Sequence, residues 1–101
     1  MANAKPLKFK RRYPGYYTTR ATTLLDGKPV EIDVEIRRHD EWTGAQWSCQ
    51  YTYTDSDGWQ HVIQDYADAY GPYTYREAKH DAALVVTGGF RLVDGLGWCA
   101  A

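Results

Sequence analysis

The chain has 101 residues, so it forms a single domain, which buries about 60 to 70% of the surface that its unfolded chain exposes. Hydrophobic residues make up 44% and charged residues 25%, which excludes a disordered or fibrous protein, and aromatic residues are abundant at 15%. No apolar run suits a signal peptide or a membrane span, and Cys49 and Cys99 are too few for a disulfide scaffold, so we expect a cytoplasmic protein with reduced thiols.

Charge is distributed unevenly along the chain, although the formal net charge is only −1. Residues 1–25 contain six Lys and Arg residues and no acid, while residues 39–75 contain six acids and no Lys or Arg. A separation of this kind bears on the choice of partner rather than on the fold.

The N-terminal part is predicted to contain little regular structure. Residues 1–6 are polar and end in a proline, so we expect a flexible basic arm, followed by a single domain over residues 7–101. A short edge strand is expected within residues 7–13, and Pro14-Gly15 indicates a turn or bulge.

The strongest pattern lies around Asp26-Gly27. After it, valines and isoleucines alternate with charged residues as far as Arg37, which is the period of a strand with one buried face. Asp-Gly favours a two-residue type I′ turn. Such a turn fixes the register of the hairpin, with Tyr17 opposite Ile36, and it brings opposite charges together at Arg20 and Asp33.

A second hairpin is predicted from the alternation in residues 45–54 and from the strand over residues 59–66. Asp55-Ser56-Asp57-Gly58 fits a three-residue loop with a bulge, which would place Tyr53 opposite His61. A four-residue loop would instead turn Val62 inward, and the sequence leaves both registers open.

A helix is predicted to start at Tyr75, because Thr74 and Glu77 have the spacing of a capping box. It should bury an alanine and valine stripe and end at Gly88-Gly89, before a short last strand at residues 90–93. The expected fold class is α+β: a four- to five-stranded antiparallel meander with one helix, in the C-terminal half, packed on one face.

Catalytic and metal-binding motifs are missing from the sequence. The segment His39-Asp40-Glu41 has no second ligand cluster to complete a metal site, and the alternation around Cys49 favours a small core residue over a nucleophile. We therefore expect no enzyme, no cofactor and no metal.

The acidic middle of the chain holds nine of the fifteen aromatic residues, more rings than one sheet face and one helix can bury. Several should therefore be exposed beside acids, in the manner of a protein contact surface that suits a basic partner. The predicted protein-binding residues are Trp42, Asp55, Asp57, Trp59, Asp68 and Tyr70. An equally weighted interpretation is a tyrosine-rich core with solvated acids in the turns.

The basic head supports a different hypothesis. Its cations are interleaved with aromatic residues, which suits single-stranded nucleic acid, because bases stack on rings and phosphates pair with cations. The residues predicted to bind are Lys8, Lys10, Arg11 and Arg12. A basic edge strand also prevents sheets from pairing with one another, and the chain as a whole is slightly acidic.

A D-G-W hairpin at residues 57–59 followed by a [ST]-x-x-E-A helix start at residues 74–78 resembles small proteins of phages and mobile elements, including some anti-CRISPR inhibitors. The resemblance spans about thirty residues and rests on common turn and capping chemistry. It implies a sheet with one helix, no catalytic site, and a partner whose nucleic-acid-binding surface is covered. It carries over no individual residue. The sequence as a whole leaves a homodimer open.

Overall fold

The computed structural model describes residues 6–39, 46–63, 74–95 and 97–100, and within them the chain forms a sheet covered by a helix. The predicted α+β class is confirmed. The elements in chain order are β1 (Lys10–Tyr13), β2 (Tyr16–Leu25), β3 (Lys28–His39), β4 (Gln46–Thr54), β5 (Gln60–Ile63), α1 (Tyr75–Gly88), β6 (Phe90–Val93) and β7 (Gly97–Ala100).

The sheet has the strand order β5-β4-β3-β2-β6-β7, and β1 also pairs with β2. The expected meander comprises β2 to β5, and the short strands β1, β6 and β7 extend it beyond the predicted count. β6 meets β2 in parallel, at Leu25 and Phe90, because the chain crosses the sheet through α1 before it returns. The end strands β5 and β7 contact each other, so the sheet is strongly curled.

The hairpin of β2 and β3 has the predicted register throughout, including Tyr17 opposite Ile36 and Arg20 opposite Asp33. Asp26 and Gly27 have φ angles of 50° and 80°, as a type I′ turn requires. The Asp26 carboxylate also accepts a hydrogen bond of 3.2 Å from the backbone N–H of Leu92, which connects this turn to β6.

The second hairpin adopts the register of the three-residue loop. Tyr53 pairs with His61, Gly58 has a φ of 88°, and Val62 is 60% exposed on the opposite side of the strand. The alternative with Val62 buried is thereby excluded. β5 runs from Gln60 to Ile63 in its described part, and residues 64–66 of the predicted strand lie outside the described residues.

Helix α1 begins and ends where the sequence predicts. The Thr74 hydroxyl accepts a hydrogen bond of 3.0 Å from the N–H of Glu77, and Gly89 follows the last turn with a φ of 81°. Ala78, Ala82, Ala83 and Val86 are buried against the sheet. Within the described residues no helix is long and apolar enough to cross a bilayer.

The core lies between α1 and one face of the sheet. Ile32, Val34, Ile36 and Tyr51 are at most 1% exposed, and burial of such a side chain contributes about 1.5 to 3 kcal/mol. The predicted core role of Cys49 is confirmed, since this free cysteine is 7% exposed. The rest of the cluster is apolar or aromatic: Leu25, Trp47, Ala78, Ala82, Val86 and Phe90.

Candidate binding surfaces

The predicted protein-binding residues that the structure describes lie in one loop. We call the segment Asp55 to Trp59, between β4 and β5, the hairpin tip. Trp42, Asp68 and Tyr70, the other predicted members, lie outside the described residues. The structure therefore brings together Asp55, Asp57 and Trp59.

Asp55 organises the hairpin tip. One oxygen of its carboxylate accepts hydrogen bonds from the backbone N–H groups of Asp57 at 2.9 Å and Trp59 at 3.0 Å. The other oxygen lies 2.8 Å from Nε2 of His61, which donates when that nitrogen carries the proton. The backbone N–H of Asp55 donates to the carbonyl of Trp59 at 3.0 Å and closes the loop. Asp55 is thus a structural residue of the loop as well as a source of negative charge.

The same contacts determine the ionisation of Asp55. The pKa of Asp55 is lowered below its ordinary value, and the largest cause is the hydrogen bond from His61. The backbone N–H groups of Trp59 and Asp57 also lower the pKa, while desolvation of the carboxylate opposes them. The carboxylate is therefore ionised at neutral pH, when it accepts these hydrogen bonds.

The Trp59 side chain is 73% exposed, as expected of a ring that the core has no room for. Its backbone is held on both sides by Asp55, so the indole projects from a loop of defined shape. An exposed indole on an ordered backbone is a typical anchor in protein interfaces, because little conformational entropy is lost when it becomes buried.

The other aromatic residues of the acidic middle do not share this exposure. Trp47 and Tyr51 are buried, while Tyr53 and Tyr75 are partly buried against the core. Tyr75 stacks on Tyr17 of β2 with ring centroids 4.0 Å apart. The alternative interpretation, a tyrosine-rich core, thus holds for these side chains, and Trp59 is the exception among the described rings of the acidic middle.

His61 lies in β5, next to the hairpin tip, and the sequence interpretation assigned it no role. Its ring stacks on Tyr53 at 5.1 Å as well as contacting Asp55. The sequence could have indicated these contacts of His61, because the three-residue loop places residues 53 and 61 opposite each other and residue 55 diagonally from residue 61.

The predicted basic residues lie on and beside β1, at the far edge of β2. Lys8, Lys10, Arg11 and Arg12 are all exposed, and we call this group the basic strand. Arg12 donates from Nε to the hydroxyl of Thr18 at 2.7 Å, which holds its side chain along β2. The structure therefore keeps the two predicted surfaces separate.

No group of three or more metal-ligating side chains occurs among the residues that the structure describes. His39 contacts the Ser48 hydroxyl at 2.6 Å across β3 and β4, while Asp40 and Glu41 lie outside the described part of the chain.

Comparison of the chain with protein-family models, with curated proteins and with solved structures finds no match.

Proposed function

We propose that this is a small, non-enzymatic binding protein that docks on a basic protein surface through the hairpin tip. The single observation that carries the proposal is the exposure of Trp59 on a loop whose backbone N–H groups donate hydrogen bonds to the Asp55 carboxylate. Asp57, two residues before Trp59 in the same loop, adds an exposed negative charge. An apolar anchor next to acids is complementary to a basic surface with an apolar recess.

The same proposal extends to the biological setting. A protein encoded by a phage or mobile element that covers the nucleic-acid-binding surface of an effector, as some anti-CRISPR inhibitors do, would present such a surface, because surfaces that bind nucleic acid are basic. The resemblance of residues 57–78 to such proteins motivates this part of the proposal.

The test is affinity capture with the wild-type protein and two variants as bait. Trp59→Ala and Asp57→Lys should each lower recovery of the same basic partner at least tenfold, since loss of an interface anchor costs about 2 kcal/mol or more. Asp55 is left intact, because its loss would disturb the loop itself.

Matched controls come from the exposed surface of α1. Leu84→Ala removes an apolar side chain that is 49% exposed, and Asp81→Lys reverses a charge without touching the hairpin tip. Both should retain the partner, and all four variants should melt at the wild-type temperature. Equal recovery with the Trp59→Ala bait would refute the proposal.

A further inference from the structure

Several charges of the basic strand have no acidic partner among the residues that the structure describes. On the neighbouring strands the cations are paired: Arg20 contacts Asp33 at 3.2 Å, and Arg37 contacts Glu35 at 3.3 Å. Within the described residues, neither Lys8 nor Lys10 has an ion-pair partner, and both are exposed. Arg11 is likewise exposed and without an acid among these residues. The acids of the sheet are thus already engaged elsewhere.

Lys8 and Lys10 border a cleft of about 630 Å³ on the side of the sheet opposite α1. Lys8, Lys10 and Arg12 line it together with Tyr16. Asp33 and Glu35 also reach this cleft, but each is held by an arginine. The cleft therefore offers free positive charge along one rim, and an extended anion can follow that rim.

Helix α1 continues the positive surface on the other side of β1. Arg76, Lys79 and His80, at helix spacings of three and four, line a cleft of about 260 Å³ with Pro6 and Leu7. The acids Glu77 and Asp81 do not line this cleft, since they lie on the next face of the helix.

Strand pairing and ring contacts connect the two basic regions. The backbone of Arg11 on β1 pairs with that of Tyr17 on β2. The Tyr17 ring stacks on Tyr75 of α1, and the Lys79 ammonium lies 5.3 Å from the centre of the Tyr75 ring. The positive surface thus extends from the outer cleft over β1 to the helix, which is longer than a single phosphate needs.

An exposed aromatic platform lies at one end of this surface. The Tyr13 side chain is 56% exposed, and its ring centroid is 4.9 Å from that of Tyr16. The Arg37 guanidinium lies 5.1 Å from the Tyr16 ring centre, so Tyr16 is supported from behind and Tyr13 is open to solvent. An unstacked base can lie on such a ring.

We propose that the surface formed by the basic strand, Tyr13 and the Arg76–Lys79 face of α1 binds single-stranded nucleic acid, independently of the function proposed for the hairpin tip. The backbone phosphates pair with Lys8, Lys10 and Arg11, and a base stacks on Tyr13. A duplex keeps its bases paired and stacked inside, so it gains only the phosphate contacts. The site has no requirement for sequence, because every base presents an aromatic face.

The experiment measures fluorescence anisotropy of a labelled oligothymidylate of about 16 nucleotides, a length that a small binding domain covers. Affinity should fall steeply with salt, with a slope of log K against log salt of about −2 to −3 for three or four phosphate contacts. Lys10→Gln should reduce that slope by about 0.7. The matched control is Lys28→Gln, which should leave the slope unchanged, because Lys28 is an exposed lysine at the start of β3, opposite the last residue of β2.

Substitutions of Tyr13 distinguish a site for nucleic acid from a surface that is merely basic. Tyr13→Ala should weaken oligothymidylate binding about tenfold, while Tyr13→Phe, which keeps the ring, should bind as wild type. Circular dichroism of both variants checks that the β1–β2 hairpin is intact.

Three results would overturn the proposal. The first is no binding of oligothymidylate at about 50 mM salt. The second is equal binding by Tyr13→Ala and wild type together with equal affinity for heparin, which would indicate unspecific charge attraction. The third is binding of an acidic polyglutamate peptide in preference to the oligonucleotide, which would assign the surface to a protein partner.

Discussion

At the scale of single residues, Asp55 shows how a charged side chain can serve structure and recognition together. Its carboxylate accepts hydrogen bonds from two backbone N–H groups and from His61, and the loop these bonds hold presents Trp59 to solvent. From the sequence Asp55 and Asp57 look equivalent, yet the backbone of the loop directs its N–H groups towards Asp55.

We therefore expect Asp55→Asn to destabilise the protein in a pH-dependent way. Because the pKa of Asp55 is lowered in the folded state, its ionised form contributes stability above its ordinary pKa, and that stability is lost as the pH falls through the folded-state pKa. The deficit of the variant should thus be largest near neutral pH and shrink at about pH 3.

Urea unfolding of wild type and variant across this pH range measures the effect. Asp57→Asn is the control, since the Asp57 carboxylate accepts none of the hydrogen bonds that organise the loop. A deficit of the same size at both ends of the pH range would contradict the role assigned to the Asp55 carboxylate.

Thr23 is a second residue whose importance depends on its surroundings. It is 3% exposed, and its hydroxyl donates a hydrogen bond of 2.7 Å to the carbonyl of Val86 in the last turn of α1. A carbonyl at a helix end has no partner within the helix, so the threonine satisfies it where water is excluded. The register of the β2–β3 hairpin places Thr23 on the same face of the sheet as Tyr17, but it did not predict the helix end above it.

At the scale of elements, the end of α1 approaches β2 closely at Gly89. Gly89 has a φ of 81° and a ψ of −171°, a combination that only glycine adopts readily. A Cβ placed at this residue would lie 2.9 Å from the carbonyl oxygen of Leu24, and backbone atoms of a central strand cannot move aside at low cost. The close approach lets the chain pass directly from the helix into β6.

A comparison of Gly89→Ala with Gly95→Ala distinguishes the energetic cost of the backbone conformation from the cost of the close contact. Gly95 has the same φ of 81° with open space around it, so its replacement should lower the free energy of unfolding by about 1 to 2 kcal/mol. Gly89→Ala should lower the free energy of unfolding by about 2 to 4 kcal/mol, because both strain and the contact with Leu24 oppose it. Chemical denaturation compares the two, and equal losses would show that the close approach is relaxed in solution.

The two hairpins differ in how far the local sequence specifies their strand register. The hairpin of β2 and β3 has a turn with only one suitable type and a strand with strict alternation, so turn and pattern agree on the register. In the second hairpin the pattern permitted either His61 or Val62 to face inward. The stacking of His61 on Tyr53 and its contact with Asp55 favour the observed register.

At the scale of the whole molecule, the hairpin tip and the basic strand occupy opposite corners of the sheet. β1 pairs with the Tyr16 end of β2, which lies beside Arg37 of β3. The hairpin tip follows the C-terminal end of β4, where Thr52 pairs with Asp33 of β3. Two central strands and most of their length separate the surfaces, so opposite charges are kept apart.

We therefore expect the two surfaces to act independently. Trp59→Ala should leave oligothymidylate affinity unchanged, and Lys10→Gln should leave capture of the basic protein partner unchanged, because sites this far apart without shared contacts have additive effects. The double variant should show the sum of the two single effects on the logarithmic scale. A loss of oligonucleotide binding in Trp59→Ala alone would indicate that a single ligand spans both corners.

The sequence by itself determined the class of fold, the register of the β2–β3 hairpin and both ends of α1, since these depend on interactions between residues near in the chain: turn type, strand alternation and helix capping. It also indicated that some ring would remain exposed. Only the tertiary structure decided that this ring is Trp59 among the described residues of the acidic middle, that Asp55 holds its loop, and that Arg76 and Lys79 line a cleft with residues 6–7, which precede the basic strand. The physical reason is that exposure and charge pairing depend on which distant elements pack together, here α1 against residues 6–7 and the curl of the sheet, and local patterns carry no record of those contacts.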